Sequence, residues 1–201
     1  MVDLDSEQRL IMESVKDLAE SEFAERAFSY EEGVPKRNIE LLADRGFLGI
    51  NFDEEYGGGG MTEYEAMLMS EIVGRVCPNT GGYLAEQQLV APRAVSMFGT
   101  EAAKEKYLPE VTSGSAGFAI AMSEPGAGSA VTDMATTAED DGDAWVVDGQ
   151  KAWVSQAGKS SAFVTYVRLP DGNIGSVLID SDNPGLEVGD PDYNMYDEPQ
   201  Y

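Results

Sequence analysis

Histidine is absent from the 201 residues. That removes Ser-His-Asp and Cys-His nucleophiles, histidine metal sites and histidine general bases together. Proton transfer falls to a carboxylate, a lysine or a tyrosine. A single cysteine, Cys77, excludes an intramolecular disulfide framework and any cysteine-cluster metal centre, so no metal is expected. Apolar runs of about 18 residues are missing too, and no membrane span is expected. The opening MVDLDSEQRL is acidic and lacks the basic, apolar character of a secretory leader, which points to a cytoplasmic protein.

Basic residues are scarce: 13 against 37 acidic ones, a formal net charge of −24, with only six lysines. Such a surface repels phosphates and anionic lipid, so neither nucleic acid nor a membrane is an expected partner. High charge can signal disorder, but 42% of the residues are apolar and their spacing is periodic. The composition reads instead as a folded, halophilic protein. At roughly 1 M salt the screening length falls to about 3 Å and self-repulsion is muted.

Two textures divide the chain. Residues 1–115 read as an all-α domain. Leu10, Ile11, Val15, Leu18, Ala19 and Phe23 follow helical spacing behind Ser6, the candidate N-cap. Pro35 opens a second helix that stops at Gly46. Thr62 and Glu65 form a capping box for a third. A fourth helix is expected over about 83–98, after the Gly81-Gly82 pair, and a fifth from Thr100 to Pro109 or shortly beyond. Residues 116–201 change to period two, with about six strands and no helix between them. Asp148-Gly149 gives a strong hairpin signal, and Asp141-Gly142 and Asp171-Gly172 mark further turns. The fold class is α+β: a helical domain followed by an antiparallel, barrel- or sandwich-like β domain.

Two glycine-rich stretches invite a phosphate-loop reading. In YGGGG (56–60), Met61-Thr62 follows where a Walker motif requires Gly-Lys-Ser/Thr, leaving a flexible corner between helices. GAGSAV (126–131) begins like Gly-x-Gly-x-x-Gly, but Val131 replaces the third glycine. The segment leads into strands, whereas a dinucleotide loop must open a helix.

FAIAMSEPGAGS, followed about 20 residues later by VVDGQKAWVSQAG, resembles the acyl-CoA dehydrogenase family, with its TEPGAGSD loop and G-x-K-x-W-I-T-N strand. EQRLIMESVKDLAESE, ELLADRGFLGINFDEEYGG, FGTEAAKEKYLPEVTSG and SDNPGLEVG match in the same order. The resemblance implies FAD as cofactor and α,β-dehydrogenation of an acyl-CoA thioester, with electron-transferring flavoprotein as the acceptor and a homo- or hetero-oligomeric assembly. It places Ile120, Met122, Ser123, Trp153 and Ser155 at the flavin ring, with Trp153 against the ring and Ser155 near its N5 edge. Gly128 and Ser129 fall beside the pyrophosphate, with Ser129 also at the thioester. A flat, dry slot with an aromatic wall suits such a ring, and Gly-x-Gly lets backbone N–H groups approach phosphate.

The departures are specific. Ser123 and Ser155 replace threonines, and Ala130 replaces the usual aspartate. Gln87 and Gln88 stand where the family shows small polar residues near the acyl chain. NMYDEPQY (194–201) occupies the place of a Gly-x-Arg-x-Ser-Asp-Thr-like segment. Family members run to about twice this length, and their C-terminal helical bundle supplies the catalytic glutamate. No catalytic residue is therefore expected in this chain, which reads as truncated or as one part of a split enzyme whose partner carries the bundle. A non-catalytic partner subunit and an acyl-CoA oxidase-like flavoenzyme are the alternatives.

Overall fold

A computed structural model describes residues 4–28, 34–142, 144–193 and 199–201. They form two compact units, Met1–Gly117 and Phe118–Tyr201. Among the described residues no helix is long and apolar enough to cross a membrane.

Among its described residues the first unit holds six α-helices: α1 (Ser6–Leu18), α2 (Lys36–Asp44), α3 (Glu63–Gly74), α4 (Pro78–Leu89), α5 (Ala91–Phe98) and α6 (Glu101–Thr112). The cap of α1 is Asp5 rather than Ser6. Its carboxylate accepts from the Glu7 and Gln8 N–H groups, both at 2.9 Å, while the Gln8 amide oxygen accepts from the Asp5 N–H at 2.8 Å. A capping side chain must stand just before the first helical residue, and Ser6 is already inside the helix. The Thr62–Glu65 capping box forms as read. Glu65 is buried and also accepts from Gln8 Nε2 at 2.8 Å, so one carboxylate caps α3 and ties it to α1. Val15, Leu18, Phe23, Leu42, Leu48, Met69, Val73 and Leu84 form the core between these helices.

The stretch expected as one helix over 83–98 is two helices, and the first starts earlier, with Pro78 as its opening residue. In a continuous helix the Gln88 carbonyl would accept from the N–H of residue 92, but Pro92 has none. The chain breaks at Val90 (φ −118°, ψ −105°), and Asn51 Nδ2 donates to the Gln88 carbonyl at 2.9 Å instead. Gly81 lies inside α4 because α3 passes against it: a Cβ there would meet the Gly74 Cα at 2.4 Å.

From Gly117 onward the described residues form β1 (Gly117–Ala121), β2 (Thr137–Asp140), β3 (Trp145–Asp148), β4 (Ser160–Arg168), β5 (Ile174–Asp180), β6 (Asp192–Tyr193) and β7 (Pro199–Gln200). Five strands form one sheet in the order β1-β4-β2-β3, with β5 also on β4; β6 and β7 pair separately. The α+β class stands, but the sheet is mixed. β2 runs parallel to β4 through Thr137 and Arg168, while β2–β3 and β4–β5 are antiparallel. The described strands make an open sheet, so the barrel description is loose.

Asp148-Gly149 does not form the expected hairpin. The β2–β3 connection is at Asp141-Gly142, where the Asp141 N–H donates to the Ala144 carbonyl at 3.1 Å, and Asp171-Gly172 joins β4 to β5. Gly149 is needed for a different reason. A Cβ on it would stand 2.4 Å from Thr136 Oγ1, so the glycine permits close passage of two chain segments.

The four-glycine corner is also packed rather than loose. A Cβ on Gly58 would sit 2.2 Å from the Phe52 carbonyl oxygen and 2.8 Å from that of Gly49. Gly58→Ala should therefore cost about 1–3 kcal/mol through overpacking. Gly82→Ala, at a position in α4 where a Cβ meets nothing within 4 Å, should gain about 0.5–1 kcal/mol. Urea unfolding midpoints of the two variants read both signs.

Candidate functional site

At the end of β1 the chain leaves the sheet through Met122 and Ser123 and turns sharply. Glu124 and Ala127 exchange backbone hydrogen bonds, both at 3.1 Å, around Pro125-Gly126. The Glu124 side chain points inward and is only 7% exposed. It accepts from the Ala135 N–H at 2.6 Å, the Thr136 N–H at 2.9 Å, the Thr136 hydroxyl, and Lys151 Nζ at 2.8 Å. Lys151 Nζ also donates to the Met122 carbonyl at 3.2 Å, and the Ala152 N–H donates to the Ser123 carbonyl at 2.9 Å. Residues 122–124 are thus sewn to residues 151–152.

Burial on its own would raise the Glu124 pKa. The Lys151 ammonium, the Thr136 hydroxyl and the two backbone N–H groups outweigh it and hold the group at about 2. The carboxylate is ionised and saturated with donors, which suits a structural anchor and not a proton acceptor.

Trp153 follows directly. Its φ is +61°, a left-handed backbone that is an outlier for a bulky residue, and the side chain is 64% exposed. Gln156, three residues on, has φ +60°. Between them Val154 exchanges backbone hydrogen bonds with Tyr201, at 2.8 and 3.2 Å. The Ser155 hydroxyl donates to Gln200 Oε1 at 3.0 Å, so its oxygen keeps lone pairs for a further donor. Val154 and Tyr201 pack with Ala119, Ala121, Ala157 and Phe163 beneath this segment. A firm apolar floor therefore holds a strained loop that displays an indole.

Through the Ala152–Ser123 and Lys151–Met122 bonds, Met122 and Ser123 stand beside the residues that lead into Trp153, while Ser155, two residues further on, pairs with Gln200. Ile120 is half-buried in β1, one turn of the pleat away. Gly128 and Ser129 stand exposed after the turn, and among the described residues no hydrogen bond links them to Trp153 or Ser155. A Cβ on Gly126 or Gly128 would meet nothing within 4 Å, so the space over this loop is open. Gln87 and Gln88 lie buried in α4 of the first unit, where Gln88 Oε1 accepts from the Ile50 N–H at 3.1 Å. Of the divergent tail, residues 194–198 lie outside the described residues, whereas Gln200 and Tyr201 contact the site. Glu124, Lys151, Gln200 and Tyr201 were not singled out from sequence. A signal for Glu124 was present: it is the one charged residue between Glu110 and Asp133.

The profile of the N-terminal domain of acyl-CoA dehydrogenases matches residues 5–115, and that of their middle domain matches residues 119–196. The chain belongs to the acyl-CoA dehydrogenase family. Acyl-CoA dehydrogenases are FAD enzymes. The chain is 33% identical over 196 residues to the probable acyl-CoA dehydrogenase YngJ of Bacillus subtilis, covering 94% of this chain and 52% of that one. It is 32% identical over 205 residues to a 3-sulfinopropanoyl-CoA desulfinase of Variovorax paradoxus, covering 97% and 51%. A glutaryl-CoA dehydrogenase from Mycobacterium smegmatis, solved in complex with FADH2, shares the fold with a TM-score of 0.89 at 20% identity, covering 98% of this chain and 52% of that one. The chain thus spans about half the length of the curated relatives it matches.

The depressed Glu124 pKa fixes a pH dependence. Stability from this carboxylate is fully present above its ordinary value of 4.5 and is lost as pH falls from there to about 2. Urea midpoints of the native chain and of Glu124→Gln should therefore differ most above pH 4.5 and converge towards pH 2. A gap that stays constant across this range would contradict the assignment.

Proposed function

We propose that this chain forms the flavin- and thioester-facing wall of an enzyme that dehydrogenates an acyl-CoA thioester between its α and β carbons. One observation carries the reading: Trp153 is exposed and its backbone strained, at a place held against Ser123 by a buried ion pair. Strain of this kind persists where the surroundings over-determine it, commonly beside a ligand.

The residues present fit FAD. An exposed indole offers a face for a flat ring. Ser123 and Ser155 would offer hydroxyls to the polar edges of the ring, and the open loop at Gly126 and Gly128 leaves room for the phosphate-bearing part. When bound, FAD supplies the two-electron acceptor for the oxidation. Trp153 orients the ring and screens it from water, Ser123 and Ser155 hold its polar edges, and Ser129 meets the thioester end of the substrate. No carboxylate of this chain is assigned as the base that takes the α-proton. That role falls to a helical segment corresponding to the other half of the relatives, within an oligomer that passes electrons to electron-transferring flavoprotein. The desulfinase among the relatives is also named for a CoA thioester, which supports a thioester substrate and leaves its acyl part open.

Co-expression of this chain with a segment corresponding to that other half tests the reading. The expected product is a yellow complex whose flavin band bleaches anaerobically with one of a panel of short, medium, long and branched acyl-CoA thioesters. Failure to bleach with every member of the panel would overturn it.

Trp153 also predicts a separation of stability from binding. Trp153→Gly relaxes a left-handed residue, a relief of about 1–2 kcal/mol. The entropy of the added glycine, about 0.4–1 kcal/mol, and the lost packing of the ring offset this, so stability should stay within about 1 kcal/mol of the native chain. The same change should abolish quenching of added FAD fluorescence. The acidic surface predicts that the thermal midpoint rises steadily between roughly 0.1 and 2 M KCl, because salt screens the self-repulsion of a chain with net charge −24.

A further inference from the structure

Lys151 is assigned no ligand contact above, yet it reaches into the site. Its ammonium holds two acceptors, the Met122 carbonyl at 3.2 Å and Glu124 Oε1 at 2.8 Å. The peptide between Met122 and Ser123 is trans, so its carbonyl and its N–H point in opposite directions. Anchoring the Met122 carbonyl on Lys151 therefore aims the Ser123 N–H away from the ion pair. The next carbonyl, that of Ser123, is held by the Ala152 N–H at 2.9 Å. Both peptide planes around Ser123 are thus fixed, one by the side chain of residue 151 and the other by the backbone of residue 152, directly before Trp153.

The geometry points to Lys151 and Glu124 as positioning residues for the flavin: through the Met122 carbonyl they set the direction of the Ser123 N–H, and through the 151–152 segment they fix where Trp153 stands. This rests on the FAD reading above. A donor aimed before the ligand arrives needs no reorganisation on binding. A carbonyl that accepts from an ammonium also polarises its own amide, which makes the Ser123 N–H a stronger donor. Glu124 keeps the ammonium in place: its carboxylate is fastened by Ala135 and Thr136, so Lys151 is drawn to one fixed point.

Three variants separate positioning from simple stability. Lys151→Met leaves a buried carboxylate without its cation and should lower the urea midpoint whatever the role of the pair. Glu124→Gln/Lys151→Met removes both charges and should recover most of that loss. Lys151→Arg keeps a cation in reach of both acceptors. Two readouts then decide: hydrogen exchange of the Ala152 amide by NMR, and FAD affinity by fluorescence titration. In the double variant the Ala152 amide should exchange roughly tenfold faster than in the native chain, and the FAD Kd should rise roughly tenfold, as for one lost charge-assisted hydrogen bond. Lys151→Arg should restore both. If both readouts recover with the midpoint in the double variant, the pair is only structural and the inference fails. If the native chain binds no FAD, the FAD reading of the isolated chain fails, while Ala152 exchange still decides whether the pair positions the loop.

Discussion

The candidate site depends on one buried ion pair. Glu124 and Lys151 come from segments 27 residues apart, and their contact locks the turn after β1 to the loop after β3. Taking two charges out of water is costly, and their mutual attraction balances this only when the remaining lone pairs are also satisfied. Here they are: Glu124 accepts from two backbone N–H groups and a hydroxyl besides the ammonium, and Lys151 serves a carbonyl as well. The pair therefore acts as a fixed point from which Met122, Ser123 and Ala152 take their orientation. Trp153, one residue beyond it, can then be held in a backbone conformation that it would not adopt unaided.

A similar logic recurs in the helical unit, where one polar side chain substitutes for a backbone bond that the sequence forbids. Pro92 removes the donor owed to the Gln88 carbonyl, and the Asn51 amide replaces it. Glu65 caps its own helix and holds Gln8 of another. In each case a buried polar group has its partner supplied by a residue distant in sequence. This gives each unit a defined arrangement beyond what apolar packing alone would specify.

Where the sequence was legible, the signal was local. The Thr62–Glu65 box, the helix that begins beside Thr100 and the Asp171-Gly172 turn each depend on residues within a few positions of one another, so the pattern and the structure agree. Where it misled, distant atoms decided. Asp148-Gly149 has the composition of a hairpin, but its glycine serves the approach of Thr136. Gly81-Gly82 looks like a linker, but Gly81 allows α3 to cross α4. YGGGG suggests flexibility, although its second glycine lies against the Phe52 carbonyl. At the site, the motifs placed Met122, Ser123, Trp153 and Ser155 on neighbouring segments. They did not show that Glu124 and Lys151 meet, nor that Gln200 and Tyr201 close one side.

The sequence by itself determined the chemistry that is excluded, through its missing histidine and solitary cysteine, and the order of a helical and a β-rich part. It also carried the motifs of the acyl-CoA dehydrogenase family, because composition, periodicity and short motifs are properties of neighbouring residues. The tertiary structure decided the parallel pairing of β2 with β4, the left-handed display of Trp153 and the ion pair beneath it. Each of these is a contact between residues far apart in the chain, and such contacts exist only once the fold brings them within hydrogen-bond range.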